Sequence, residues 1–280
     1  MIKLGANSVL FGAFDYETAA KYISYCGYDG IEIAAIKGMC EHLDLDNWQE
    51  QADELLSINE KYGLEFVGME EAALDEERLI KAFEAASELG IPVINVGSGG
   101  ESDNEEELEK RIKLISNMAK KAAEYDVKLC AKPHVGASIY NTETVKKAAN
   151  KIKTPGFGIN FDPSHIYRAG ENPEEAVPEF VDVIGHVHIR DCEGRDQGPG
   201  KPQQQVSGRG SIDLFGFCEA LVKGGYEGAL SLELIGANVV NKDDEWADDT
   251  GGKFGLEEVV ALAAENYGYL NACLKKLGAR

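Results

Sequence analysis

Residues 105–133 read EEELEKRIKLISNMAKKAAEYDVKLCAKP, and the two halves of this stretch obey different periods. Leu108, Ile112, Ile115 and Ala119 recur at three- and four-residue steps, the apolar stripe of an amphipathic helix over Glu105–Tyr125. Ser102 stands three residues before Glu105, a capping-box spacing that would start it. From Val127 a short apolar run closes on Lys132-Pro133 and reads as a strand. A helix feeding directly into a buried strand is half of a parallel α/β unit.

The same unit recurs on either side. Strands are expected at Ile2–Leu10, Tyr28–Ala35, Leu64–Met69, Pro92–Gly97, Val127–Pro133, Phe157–Asp162, Ile184–Ile189 and Ala229–Leu234. Their starts lie 26, 36, 28, 35, 30, 27 and 45 residues apart, room for a strand and its crossover helix. Asp75–Leu89 carries Leu79, Phe83 and Ala86 on one face and ends at Gly90; Asp53–Tyr62 ends in the same way at Gly63. Eight such units close a (β/α)8 TIM barrel, expected here as one domain over residues 1–280. The rival, an open doubly wound sheet, usually advertises a Gly-rich phosphate turn after its first strand, and this chain has none. Two irregular stretches, Asp191–Ser211 and Asn238–Phe254, follow predicted strands and would overlie the C-terminal mouth. The acidic run Asp243–Asp249 within the second reads as a solvated loop.

Composition narrows the partners. With 28 Lys+Arg against 49 Asp+Glu the net charge is −21, while 44% hydrophobic residues can fill a core. A pI near 4.6 lacks the basic footprint that nucleic acid or an anionic membrane requires. No long apolar run suggests a membrane span, and the N-terminal residues do not read as a signal peptide. The six scattered cysteines form no CxxC pair and read as free thiols, so a cytoplasmic location is expected.

The chemistry gathers at the strand ends. The second predicted strand carries Glu32, the third ends in Glu70-Glu71, the fifth in Lys132-Pro133-His134 and the sixth in Asp162-Pro163-Ser164-His165. The seventh gives His186-Val187-His188-Ile189-Arg190-Asp191 and the eighth Glu233. Four of the five histidines fall in these places, and in a barrel these ends converge. Such carboxylates and imidazoles suit a divalent cation, with Asp162, His188 and Glu233 as ligands. Period-two alternation puts His186 and His188 on one face; His186 is expected to pack or to support its neighbour. Glu32 reads equally as an ion pair at the barrel floor or a substrate contact.

The motifs Tyr28-Asp29-Gly30-Ile31-Glu32, Asp162-Pro163-Ser164-His165, His186 to Asp191, Gly208-Arg209-Gly210-Ser211-Ile212-Asp213 and Gly225-Tyr226-Glu227-Gly228 leading to Ser231-Leu232-Glu233 occur in this order over nearly the whole chain. Together they resemble the xylose-isomerase-like TIM-barrel superfamily, nearest its sugar-phosphate isomerase/epimerase group. That resemblance implies a small-molecule sugar substrate, a divalent ion (Mn²⁺ first, then Mg²⁺, Co²⁺ or Zn²⁺), and homodimers or homotetramers. It also implies a metal held by a Glu ending the fifth strand, an Asp ending the sixth, a His on the seventh and a Glu ending the eighth. Asp162, His188 and Glu233 match the last three; Lys132 stands where the first is expected.

Chemistry of this class begins with removal of a proton next to a carbonyl. Glu233, His165 and His134 are the expected proton-transfer groups, with Lys132 either a base of lowered pKa or a substitute for the cation. Arg190, Arg209, Glu32 and Glu70 are the candidate substrate contacts, with a rim salt bridge equally open for each arginine. The alternatives are a keto-sugar or keto-inositol dehydratase, and a non-catalytic sugar-binding barrel. A DNA-repair nuclease on this fold would need more histidines and a basic groove.

Overall fold

A computed structural model describes residues 1–195, 198, 200–235 and 254–280. Eight parallel strands close into a barrel: β1 (Lys3–Asn7), β2 (Gly30–Ile36), β4 (Glu65–Ala72), β5 (Val93–Gly97), β6 (Lys128–Lys132), β7 (Phe157–Phe161), β8 (Ile184–Ile189) and β9 (Ala229–Leu232). β1 pairs with both β2 and β9, which seals the ring. A two-residue strand, β3 (Cys40–Glu41), adds antiparallel to the end of β2 and was not anticipated from the sequence. The helices α1 (Tyr16–Cys26), α2 (Trp48–Tyr62), α3 (Glu76–Leu89), α4 (Glu105–Glu124), α5 (Thr142–Lys151), α6 (Pro163–Arg168), α7 (Pro173–Phe180), α8 (Leu214–Lys223) and α9 (Leu256–Lys276) follow the strands.

The helical stripes face the strands as the periodicity requires. Leu108, Ile112, Ile115 and Ala119 of α4 are buried, joined by Met118 and Ala122. Its cap is Asn104, whose side chain accepts from the Glu107 amide at 3.1 Å; Ser102 is not the cap and spends its own amide on Gly136. α3 starts at the Asp75 cap and stops at Gly90, which takes the left-handed φ of +70° that a side chain would strain. α2 begins five residues before Asp53, at Trp48, and ends at Gly63 as expected. The first strand is shorter than its apolar run: the Asn7 side chain accepts from the Val9 amide and turns Ser8–Phe11 into a 3-10 helix.

Register shifts fall on three strands that carry polar interior residues, at Ile31/Glu32, Glu70/Ala72 and Ile159/Asn160. The second matters most. Glu70 pairs with Asn95 and Ala72 with Val96, so Glu71 is the unpaired extra residue, and Ala72 adopts φ +67°. A bulge of this kind re-aims neighbouring side chains. Glu70 therefore meets Asn7 and Lys132 inside the barrel, while Glu71 turns to Arg78 at 2.8 Å.

The described part of Asp191–Ser211 is pinned rather than loose. The Asp191 carboxylate accepts from the amides of Cys192, Gly208 and Ile212. Gln205 exchanges hydrogen bonds with the backbone of Ile235, just beyond Glu233. Of Asn238–Phe254 only Phe254 lies among the described residues, and the run Asp243–Asp249 lies outside them. All six cysteines are free thiols. Among the described residues no helix is long and apolar enough to cross a membrane.

Candidate active site

Two polar layers fill the upper barrel. The lower one is built on Glu32, fully buried on β2. Its carboxylate receives Ser231 Oγ at 2.6 Å and Asn95 Nδ2 at 2.7 Å, and meets Nε2 of His188 at 2.9 Å and of His186 at 3.2 Å. Burial alone would push Glu32 up, but the two imidazoles hold it well below the usual carboxylate range. Burial likewise opposes a charged His188, yet Glu32 beneath and Glu233 beside it raise that ring to about 10. Strand alternation put both histidines on the inner face, as expected.

The upper layer brings Lys132, Glu70, Glu233, Arg190 and Asp162 together. Lys132 Nζ donates to Glu233 Oε1 at 2.6 Å and to Glu70 Oε1 at 3.3 Å. Arg190 contacts Asp162 Oδ2 at 2.9 Å and Glu233 Oε2 at 3.3 Å, and donates from Nε to Ser164 Oγ at 2.9 Å. Ser164 in turn gives its amide and hydroxyl to Asp162 Oδ1 at 2.9 and 2.7 Å, an arrangement set by the Asp-Pro-Ser turn that starts α6. Arg190 Nη2 lies 2.9 Å from His165 Nε2. Because a guanidinium only donates, that nitrogen accepts and the ring proton is assigned to Nδ1.

These contacts divide the roles. Burial lowers Lys132, but Glu233, Glu70 and Asp162 outweigh it, so the ammonium is raised rather than depressed and does not supply the lowered-pKa base considered from the sequence. Burial would raise Glu233; Lys132, His188 and Arg190 hold it well below the carboxylate range. Glu70 is different. Burial pushes it up to about 7 against the pull of Lys132, which places a proton acceptor near neutrality. Burial and Arg190 keep His165 neutral, well below the ordinary imidazole value.

Above this layer opens a cavity of about 420 Å³, bordered by Glu70, Lys132, His134, His165, Arg190 and Glu233. Val9, Ile36 and Leu74 supply apolar wall. The His134 ring packs on His165 with centroids 3.9 Å apart; its Nδ1 lies 2.8 Å from the Val135 carbonyl, which assigns the lone pair to Nε2. Four buried atoms in this cluster lack a hydrogen-bond partner: Asp162 Oδ2, Glu233 Oε2, Arg190 Nη1 and His165 Nδ1. The first three touch opposite charges without hydrogen-bond geometry.

Among the described residues, two groups of three have ligand atoms within 4.8 Å of one another: Glu32, His186 and His188, and Glu70, His188 and Glu233. The first is already engaged by Ser231 and Asn95. The second has suitable chemistry for a divalent ion, with Glu32 behind His188 as the outer carboxylate such imidazoles use. Yet two of its three groups, Glu70 and Glu233, already accept from Lys132 Nζ. Asp162, expected as a ligand, belongs to neither group; its oxygens face Ser164 and Arg190. With Lys132 so packed, these donors could take a divalent ion only if the ammonium moved aside.

Six of the residues expected from the sequence thus border one cavity, with Asp162 and His188 directly behind them. Glu32 and Arg209 do not border it. Glu32 is sealed under the histidines, and Arg209 forms a half-exposed two-pronged pair with Glu265 of α9, at 2.7 and 2.6 Å. Sequence reasoning missed Asn7, which donates to Glu70 Oε2 at 2.5 Å. It also missed Ser164, Asn95 and Ser231. Asn7 was hidden inside a strand drawn three residues too long.

A closed parallel barrel with its polar groups converging at the C-terminal ends of the strands is the (β/α)8 enzyme scaffold. Residues 20–251 match the model of the xylose isomerase-like TIM barrel family, and the chain belongs to that family. An inosose dehydratase of Clostridium botulinum is 27% identical over 142 residues, 46% of this chain and 48% of that protein. The chain thus spans about half the length of these curated relatives. Two solved structures are similar throughout. D-allulose 3-epimerase from Methylomonas sp. has a TM-score of 0.75 at 17% identity, covering 98% of each chain. A probable 3-DHS dehydratase from Bacillus anthracis has a TM-score of 0.74 at 14% identity, covering 96% of this chain and 99% of its own. At such identities the structural likeness carries the fold alone. Relatives of this chain are enzymes, dehydratases and epimerases among them.

Proposed function

We propose that the protein is an isomerase or epimerase of a small keto sugar, working by removal of the proton next to the carbonyl. The observation that supports this most is Glu70, poised at about 7 and 3.3 Å from the Lys132 ammonium on the cavity wall. In this reading a substrate carbonyl oxygen accepts from Lys132 Nζ. The carboxylate of Glu70 takes the proton from the adjacent carbon, the C–H electron pair becomes the C=C bond, and the C=O π pair moves onto oxygen to give an enediolate. Arg190 and His165, both on the cavity wall, orient neighbouring hydroxyls. His134 Nε2, with its free lone pair, accepts or returns a proton at the rim. Return of a proton to the other face of the same carbon gives the epimer; return to the former carbonyl carbon gives the isomer.

A dehydratase is the second reading, favoured by the inosose dehydratase likeness. The same enediolate would then expel hydroxide, protonated as it leaves. Incubation with 2-keto sugars, 3-keto sugars and keto-inositols in D₂O separates the outcomes. Deuterium uptake without loss of water supports epimerisation or isomerisation, uptake with loss of water supports elimination, and no uptake with any ketone contradicts both.

A further inference from the structure

We infer that the Lys132 ammonium, braced by Arg190, takes the place of a divalent ion in this barrel, and that the protein's carbonyl-activating charge is built into the chain. The inference rests on the reading of the barrel mouth as the reaction centre, but its test does not depend on turnover. Ligand atoms of Glu70, His188 and Glu233 lie within 4.8 Å of one another, and Lys132 Nζ bonds two of the three groups, 2.6 Å from Glu233 and 3.3 Å from Glu70. The second oxygen of Glu233 and the free oxygen of Asp162 are both drawn to Arg190. Two fixed cations thus sit among three carboxylates, Glu70, Asp162 and Glu233, all buried.

A divalent ion would have to expel Lys132 from a site where the side chain is only 9% exposed and leave its ammonium without a partner. Lys132 instead offers an N–H to a substrate oxygen, and Arg190 has one buried Nη1 with no hydrogen-bond partner. The charge that develops on an enediolate oxygen would fall beside both. If the position is a metal site filled by a side chain, exchanging that side chain for a carboxylate should uncover it.

The test is metal content by mass spectrometry, and melting temperature with and without MnCl₂, for the wild type and Lys132→Glu purified without chelator. Expected is a wild type with less than about 0.2 equivalents of any divalent ion and no Mn²⁺-induced shift. Lys132→Glu should take up about one equivalent and, at about a hundredfold excess over its dissociation constant, melt roughly 5 °C higher. If Lys132→Glu does not fold, Lys132→Ala, which keeps the three donors and vacates the space, takes its place. A wild type holding about one equivalent after gel filtration overturns the inference, and so does a folded variant as metal-free as the wild type.

Discussion

Replacing Lys132 by Met keeps the length and apolar stem of the side chain but removes Nζ, and the consequences are unequal for its two partners. Glu233 keeps Arg190 and His188, each at 3.3 Å, whereas Glu70 keeps one hydrogen bond, from Asn7, and the charge of His188 at longer range. Glu70 is therefore the stranded charge. In the wild type its folded pKa of about 7 already exceeds the ordinary 4.5, so the folded state holds its proton more tightly, and the stability lost as pH rises stops accruing near 7. Without Lys132 the folded pKa moves higher still, and the loss continues above pH 7 at about 1.4 kcal/mol per pH unit. From pH 7 to 8.5 the gap between wild type and variant should widen by about 2 kcal/mol. For 280 residues, an unfolding entropy of about 0.6 kcal/mol/K turns this into roughly 3 °C. Scanning calorimetry of both proteins from pH 6 to 8.5 reads it directly. A gap constant across that range would mean that Glu70 is not stranded by the loss of Lys132, and Lys132→Met/Glu70→Gln should remove the pH dependence.

Three further expectations follow from individual contacts. Burial between Cys40 and the Phe14 carbonyl lowers His42, so acid favours the unfolded state; below pH 6.5 the wild type should lose up to about 2 °C per pH unit relative to His42→Gln, and parallel curves would argue against a buried neutral ring. Asn104→Ala should cost about 1 kcal/mol, roughly 2 °C, while Ser102→Ala leaves the melting temperature unchanged; the reverse order would return the cap to Ser102. Arg190→Lys replaces a fork that spans Asp162, Glu233, Ser164 and His165 by a single point charge, and should lower turnover at least about tenfold with the fold intact by circular dichroism.

The architecture was legible because it is written in local periods: α4, α3 and the eight strands follow from apolar spacing and from Gly63 and Gly90. The site was partly legible because a barrel collects whatever polar residues end its strands, and β8 aims His186 and His188 inward by alternation alone. Pairings between distant residues were not. The Lys132 ammonium meets Glu70 and Glu233 across 62 and 101 residues, and only those meetings decide that its pKa rises. Nor does spacing show which of Glu70 and Glu71 enters the barrel, since a bulge makes that choice. Arg209 sat in a plausible motif, but its partner Glu265 is 56 residues away on α9 and outside the mouth.

The proposed reaction depends above all on Glu70 as the group that takes the proton. With whichever ketone exchanges in the D₂O panel, the initial rate of deuterium uptake is measured for the wild type and Glu70→Gln between pH 5.5 and 8.5. The predicted result is a wild-type rate rising with a midpoint near 7 and a variant rate lower by about 10²-fold or more at every pH. Equal rates in the two proteins would contradict it.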